Sequence, residues 1–224
     1  MERIELYALH LGGGTADEAT AYLPRLSPTR QEALLRYASP VVRSRSLWGE
    51  LLARYLVAAA GGPPPFSLTI CRHPKGKPYS PEGRFFFNWA HSGDWVLAGV
   101  GASPLGVDVE RTRREKSWHA VAERFFREEE KQTIAAASKE ARDDLFRRYW
   151  TMKESYLKYT GEGLSGGIKD VDVAALWAGQ GAVAGRSFPL PGGAMAAIVA
   201  APSLLPDHVT MISIEELRAG LEVD

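Results

Sequence analysis

Trp150-Thr151-Met152-Lys153-Glu154-Ser155-Tyr156-Leu157-Lys158 lies inside a helical pattern that runs from about Ala141 to Tyr159 and stops at Gly161. Helical spacing stacks Trp150, Glu154 and Lys158 along one face, each one turn after the last. A carboxylate one turn before a lysine is, alone, an ordinary surface ion pair of little energetic weight. Upstream, Gly106-Val107-Asp108-Val109-Glu110 reads as a strand, in which residues two apart share a face. Asp108 and Glu110 then form a comb of two carboxylates. Taken singly, the comb and the Lys153-Glu154 pair read as solvated charge. Folded against each other, Asp108, Glu110 and Glu154 make an all-oxygen donor set of the kind that suits Mg²⁺ beside a phosphate.

Outward from these two stretches the chain alternates helices and antiparallel-type strands. Ile4 to Leu11 reads as a strand closed by Gly12-Gly13-Gly14. Thr15-Ala16-Asp17-Glu18 has the form of a capping box, opening a short helix to about Leu23. Ser27-Pro28 and Ser39-Pro40 each pair an N-cap with a proline at the first helical position, starting helices to about Ala38 and Ala60. Strands follow at about Phe66 to Cys71, Phe85 to Trp89 and Trp95 to Val100, with a basic Lys75-Gly76-Lys77-Pro78 turn between the first two. His91-Ser92-Gly93-Asp94 reads as a hairpin turn, or as a seat for phosphate on free backbone N–H groups. Beyond the comb come helices at about Ser117 to Phe126 and Arg127 to Ala137. After Gly161-Glu162-Gly163 the pattern gives strands at Val171 to Leu176, Arg186 to Leu190, Met195 to Ala201 and Val209 to Ile214, then a helix from Glu215. Without regular βαβ alternation this is an α+β chain. A boundary near Ser103-Pro104 divides it into residues 1–103 and 104–224.

Composition removes several classes of function. Over 224 residues, 27 Lys and Arg balance 27 Asp and Glu, so bulk charge gives no reason to expect nucleic-acid binding. The single cysteine, Cys71, leaves no intrachain disulfide and suits a reducing compartment. No apolar run reaches the length of a membrane span, and Met-Glu-Arg-Ile-Glu lacks the basic start and apolar core of a signal peptide. The expectation is a soluble, cytoplasmic protein. His10, His73, His119 and His208 have no partners at zinc spacing, and neither a Gly-x-Ser-x-Gly elbow nor a Walker loop is present.

Gly106-Val107-Asp108-Val109-Glu110 followed by Trp150-x-x-Lys153-Glu154-Ser155-x-x-Lys158, with 43 residues between Glu110 and Glu154, resembles the 4′-phosphopantetheinyl transferases of the surfactin-synthetase type. Leu26-Ser27-Pro28 with Arg30, Arg45-Ser46-Leu47 with Gly49, Gly76-Lys77-Pro78, Asn88 with His91-Ser92-Gly93, and Arg124-Phe125-Phe126 ahead of Glu130 support it in the same order. The match covers roughly residues 4 to 173, and nothing is carried over to the last fifty. The resemblance implies a monomer of two similar α/β subdomains in pseudo-twofold arrangement, with the site between them. It implies coenzyme A as substrate and a serine of an apo acyl or peptidyl carrier protein as acceptor. It implies Mg²⁺ on Asp108, Glu110 and Glu154, with Glu154, directly or through a metal-bound water, as the base, Lys158 steadying phosphate charge and Glu130 touching a metal-bound water. Arg30, Arg45, Ser46, Lys77, His91 and Ser92 are implied as nucleotide contacts, and Lys153 as another or as an orienter of Glu154. A second basic residue expected three after Arg30 is Ala33 here, leaving Arg36 or Arg43 to compensate. The carrier is expected to dock near Ser117 to Ile134. Two rivals from other classes stand beside this reading. One is a silent binding module for coenzyme A or carrier; the other is a Mg²⁺-dependent phosphohydrolase, which would consume coenzyme A with no carrier present.

Overall fold

The computed structural model describes residues 3–12, 18–112, 118–163 and 167–222. In chain order its elements are β1 (Glu5–His10), α1 (Pro28–Leu35), α2 (Pro40–Ala59), β2 (Cys71–Arg72), β3 (Pro78–Tyr79), β4 (Phe86–Ser92), β5 (Trp95–Gly101) and β6 (Leu105–Glu110). Then come α3 (Trp118–Phe125), α4 (Glu128–Ala136), α5 (Lys139–Thr160), α6 (Val173–Ala178), β7 (Ala184–Leu190), β8 (Ala194–Ala200), β9 (Thr210–Ile212) and α7 (Ile214–Leu221). One sheet has the order β4-β5-β1-β9, another β6-β8-β7, and β2 and β3 form a small ribbon.

Alternation along the strands builds layers. In β1 and β5, Leu6, Ala8, Trp95 and Leu97 enter a core shared with Leu105, Val107, Val109, Ala196 and Ile198 of the second sheet. The intervening residues Leu9, Val96, Ala98 and Val100 turn the other way, onto Leu47, Trp48, Leu51 and Leu52 of α2. In β8, Ala197 and Val199 face Tyr149 and Met152 of α5. The result is helix, sheet, sheet, helix, an α+β architecture of two similar halves as expected. The two sheets are also joined at a seam, where the buried Asn88 side chain on β4 accepts a hydrogen bond from Val107 N on β6 at 3.0 Å. Ser103-Pro104 lies between β5 and β6. The chain nevertheless returns to the first half: β9 pairs in parallel with β1, and Leu217 and Leu221 of α7 join the core around α2.

Several elements differ from the sequence expectation for physical reasons. Val171 to Leu176 is not a strand: Asp172 caps a helix by accepting from Ala175 N at 3.0 Å, and Gly179 ends it in the left-handed region at φ 66°. Phe66 to Ile70 is not a strand either, because Pro65 O and Leu68 O each accept from the Arg54 guanidinium at 2.9 Å instead of joining a ladder. His91 and Ser92 close β4, so the turn is Gly93-Asp94. The capping box at Thr15 to Glu18 lies outside the described residues except for Glu18, which opens a 3₁₀ helix to Arg25. Among the described residues no helix is long and apolar enough to cross a membrane.

Candidate active site

The geometry begins with a missing side chain. On β6, Leu105, Val107 and Val109 point to the central core, leaving Gly106, Asp108 and Glu110 to face α5. A Cβ on Gly106 would fall well inside contact distance of Ser155 O and Tyr159 N, so strand and helix touch backbone to backbone there. Ser155 Oγ reinforces the contact by donating to Ala197 O at 3.1 Å. The helix starts on a Ser138 cap and stops at Gly161, whose φ of 77° is the left-handed value that glycine adopts without strain. That close approach sets Glu154 and Lys158 against the comb.

Lys158 Nζ donates to Asp108 Oδ1 at 2.6 Å, while Asp108 Oδ2 is buried with no partner. Burial is the main cause that pushes the Asp108 carboxyl up to about 7; Glu110 and Glu154 add to it and Lys158 opposes it. Glu154, half-buried, is also raised, first by burial and then by Glu110, against the pull of Lys158. Glu110 is held by both oxygens: Ser92 Oγ donates to Oε2 at 2.7 Å and Trp150 Nε1 to Oε1 at 3.2 Å. Three carboxylates therefore face one ammonium, and the raised Asp108 and Glu154 values record burial first and carboxylate crowding after it. Among the described residues no three His, Cys, Asp or Glu side chains are gathered tightly enough to hold a metal ion as they stand. The donor chemistry still fits a hard divalent cation, since Asp108 Oδ2 is orphaned and all three groups offer anionic oxygen.

Around this centre, His91 is held neutral, its imidazole pushed down to about 4 by burial and then by the charges of Lys158 and Arg45. Arg45 pairs with Asp94 at 2.9 Å. Lys77 reaches across from the first half to donate to Tyr159 O at 2.5 Å, at the end of α5. Burial lowers its ammonium to about 8. It lines a cavity of about 640 Å³ together with His73, Tyr79, Ser80, Phe86 and Tyr159.

Asp108, Glu110, Glu154 and Lys158 are thus assembled, with His91, Ser92 and Arg45 beside them. Five expectations change. Ser92 is turned to Glu110 and to Arg111 N, so it orients a carboxylate. Arg30 donates to the buried Glu50 Oε2 at 2.5 Å and to Ser46 Oγ at 3.4 Å, so both expected nucleotide contacts are engaged within the first half. Lys153 has no exposed surface, and its ammonium meets Glu130 Oε2 at 2.9 Å. It is therefore no nucleotide contact, and Glu130, 6% exposed, is no open water ligand. Trp150 is the functional contact that sequence reasoning left without a role. Its one-turn spacing before Glu154 was the available signal.

Two family profiles together match most of the chain: the 4′-phosphopantetheinyl transferase superfamily over residues 104–199, and the 4′-phosphopantetheinyl transferase N-terminal region over residues 14–103. The chain is similar to 4′-phosphopantetheinyl transferase Sfp of Bacillus subtilis (strain 168), 27% identical over 225 residues that span 96% of this chain and 100% of that one. A second Bacillus subtilis 4′-phosphopantetheinyl transferase is 32% identical over 152 residues, 67% of each chain. 4′-phosphopantetheinyl transferase HetI of Nostoc sp. is 28% identical over 175 residues, 74% of this chain and 73% of that one.

Proposed function

The chain belongs to the 4′-phosphopantetheinyl transferase superfamily, and from that premise we propose how it moves phosphopantetheine from coenzyme A to a serine of an apo acyl or peptidyl carrier protein. The bond that forms joins the serine oxygen to the β-phosphorus. The bond that breaks releases adenosine 3′,5′-bisphosphate, and the hydroxyl proton goes to the protein. A transfer of this kind depends mostly on positioning and charge neutralisation.

The observation that carries the reading is the three-carboxylate face with its orphaned Asp108 oxygen beside Lys158. Asp108, Glu110 and Glu154 would hold Mg²⁺, which when bound neutralises charge on the diphosphate. Lys158 adds a second positive charge at the phosphates. Glu154 accepts the serine proton, its raised affinity for protons suiting a general base. Ser92 and Trp150 each hold one oxygen of Glu110. Neutral His91 serves the nucleotide as a hydrogen-bonding group, and Arg45 serves it as a charge. The aromatic cavity beside Lys77, lined by Phe86, Tyr159 and the mutually stacked His73 and Tyr79, suits a nucleobase. In this reading residues 1–103 supply most nucleotide contacts, and 104–224 supply the carboxylates and the helix. The protein acts as a monomer in the cytoplasm, where its free Cys71 stays reduced.

The test is mass spectrometry of apo acyl and apo peptidyl carrier proteins incubated with the protein, coenzyme A and Mg²⁺. A gain of one phosphopantetheine, abolished by EDTA, is expected. Coenzyme A consumed with no carrier present would instead favour a phosphohydrolase. Binding without any turnover would favour a silent module.

Lys77 gives the site a pH dependence. Below about 8 its ammonium is charged and attracts phosphate; above that value the free protein holds a neutral amine. Coenzyme A affinity, followed by calorimetry, is therefore expected to weaken as pH rises from 7.5 to 9. Lys77→Arg, charged throughout, should flatten that slope. A slope that persists in Lys77→Arg assigns the titration to another group.

A further inference from the structure

Lys153 stands next to the proposed base in the chain yet faces the interior, on a different flank of α5 from Glu154. Its ammonium uses its three donors on Glu130 Oε2 at 2.9 Å, Val171 O at 2.9 Å and Ile168 O at 3.2 Å. It also lies 5.6 Å from the centre of the Phe126 ring, which stacks on Trp150. Glu130 Oε2 accepts in addition from Arg127 N at 2.8 Å, closing the first turn of α4. The Arg127 side chain pairs at 2.5 Å with Asp172, the cap of α6. One buried cation thus gathers α4, residues 168 to 171 and, through Arg127, α6 against the flank of α5.

We propose that the Lys153–Glu130 pair is a positioning device, which fixes the rotation of α5 about its own axis and so the place where the Glu154 carboxylate meets substrate. Glu130 takes no proton in the reaction. The proposal rests on the transferase reading above. Gly106 sets how closely α5 approaches β6, and Ser155 and Met152 seat that side of the helix on β8. The Lys153 contacts hold another flank, so the rotation of the helix is defined from two sides. A side-chain terminus roughly 6 Å from a helix axis moves about 1 Å when the helix rolls by about 10°. Misplacement of that size costs on the order of a hundredfold in rate. Glu130 is 6% exposed, its Oε2 accepts from two donors and its Oε1 is buried without a partner, which places the pair away from open substrate.

A pair that only held the fold together would be replaceable by apolar side chains of similar volume. The full chain is therefore compared with Lys153→Met, Glu130→Gln and the double variant Lys153→Met with Glu130→Leu. Urea unfolding, kcat, the KM for coenzyme A and the pH–rate profile are read for each. The double variant is expected to regain the stability lost in Lys153→Met, yet to keep a kcat at least about tenfold low with KM within about twofold of the parent. If its kcat returns together with its stability, the positioning role is overturned. Glu130→Gln is expected to lower kcat about tenfold while keeping both limbs of the pH–rate profile. Disappearance of the acidic limb would make Glu130 a proton acceptor and overturn the second half of the proposal. Failure of the transferase reading shows separately, as an unmodified chain that labels no carrier.

Discussion

Glu154→Gln is expected to lower transfer to a carrier protein by at least about a thousandfold while the protein stays folded. The substitution keeps the shape of the side chain and removes the charge that both proposed tasks need, holding a cation and accepting the serine proton. Its neighbours make the loss one of function rather than of fold. Burial and Glu110 already oppose the charged form of Glu154, so the neutral amide relieves repulsion that the folded chain carries. Asp108→Asn should behave alike, with a further consequence in pH. The folded-state value of Asp108, about 7, lies above its ordinary value of 3.8, so the folded chain binds the extra proton between these limits. Its charged form therefore weakens the metal-free fold increasingly as pH rises from 3.8 to 7, and fully above 7. Metal-free Asp108→Asn should melt no lower than the parent at pH 8 while transferring nothing. Thermal melts followed by circular dichroism, run beside the carrier assay, check both halves. Near-parental transfer by either variant would remove the assignment of these carboxylates.

Gly106→Ala is expected to yield little or no soluble folded protein. The added methyl would meet Ser155 O and Tyr159 N, atoms of helix backbone that cannot rotate aside as a side chain would. Relief requires α5 to retreat along its contact with β6. That movement would open the layer in which Tyr149 and Met152 meet Ala197 and Val199. Overpacking that a side chain can relieve usually costs about 1–3 kcal/mol, and a rigid backbone obstacle puts this case above about 4 kcal/mol. Soluble yield and the urea midpoint measure it. A variant that folds with the midpoint of the parent would show that the helix has slack the packing does not suggest.

The centre of the site was legible because both of its halves obey short periods. Alternation in β6 puts Asp108 and Glu110 on one face, and the one-turn step puts Trp150, Glu154 and Lys158 on another. No period states that the two faces meet; there the family resemblance supplied the pairing, and Gly106 supplied the physical means. Inward-facing polar residues were harder to read. Lys153 has the sequence context of a wet helix face, and Glu130 with the carbonyls of Ile168 and Val171, all brought in from beyond the helix, explain its burial. Ser92 resembled a phosphate seat until Glu110 was found opposite it. Val171 to Leu176 was misread because its apolar run fits either period, and the Asp172 cap decides for the helix Val173–Ala178. The pairing of β9 with β1 is only three residues long and spans nearly the whole chain, so no local signal announces it.

That short pairing has a consequence for how the protein comes into being. A ribosome delivers the chain from its N-terminus, and β1, α2, β4 and β5 emerge well before β9 and α7. Until then the outer edge of β1 remains unpaired, and the α2 core lacks Ile212, Leu217 and Leu221. An open strand edge beside incomplete apolar packing is a template for wrong association. The first half of the nascent chain therefore stays vulnerable until the last segment arrives, and a fragment ending at Ser103 should be a client for chaperones rather than a stable domain.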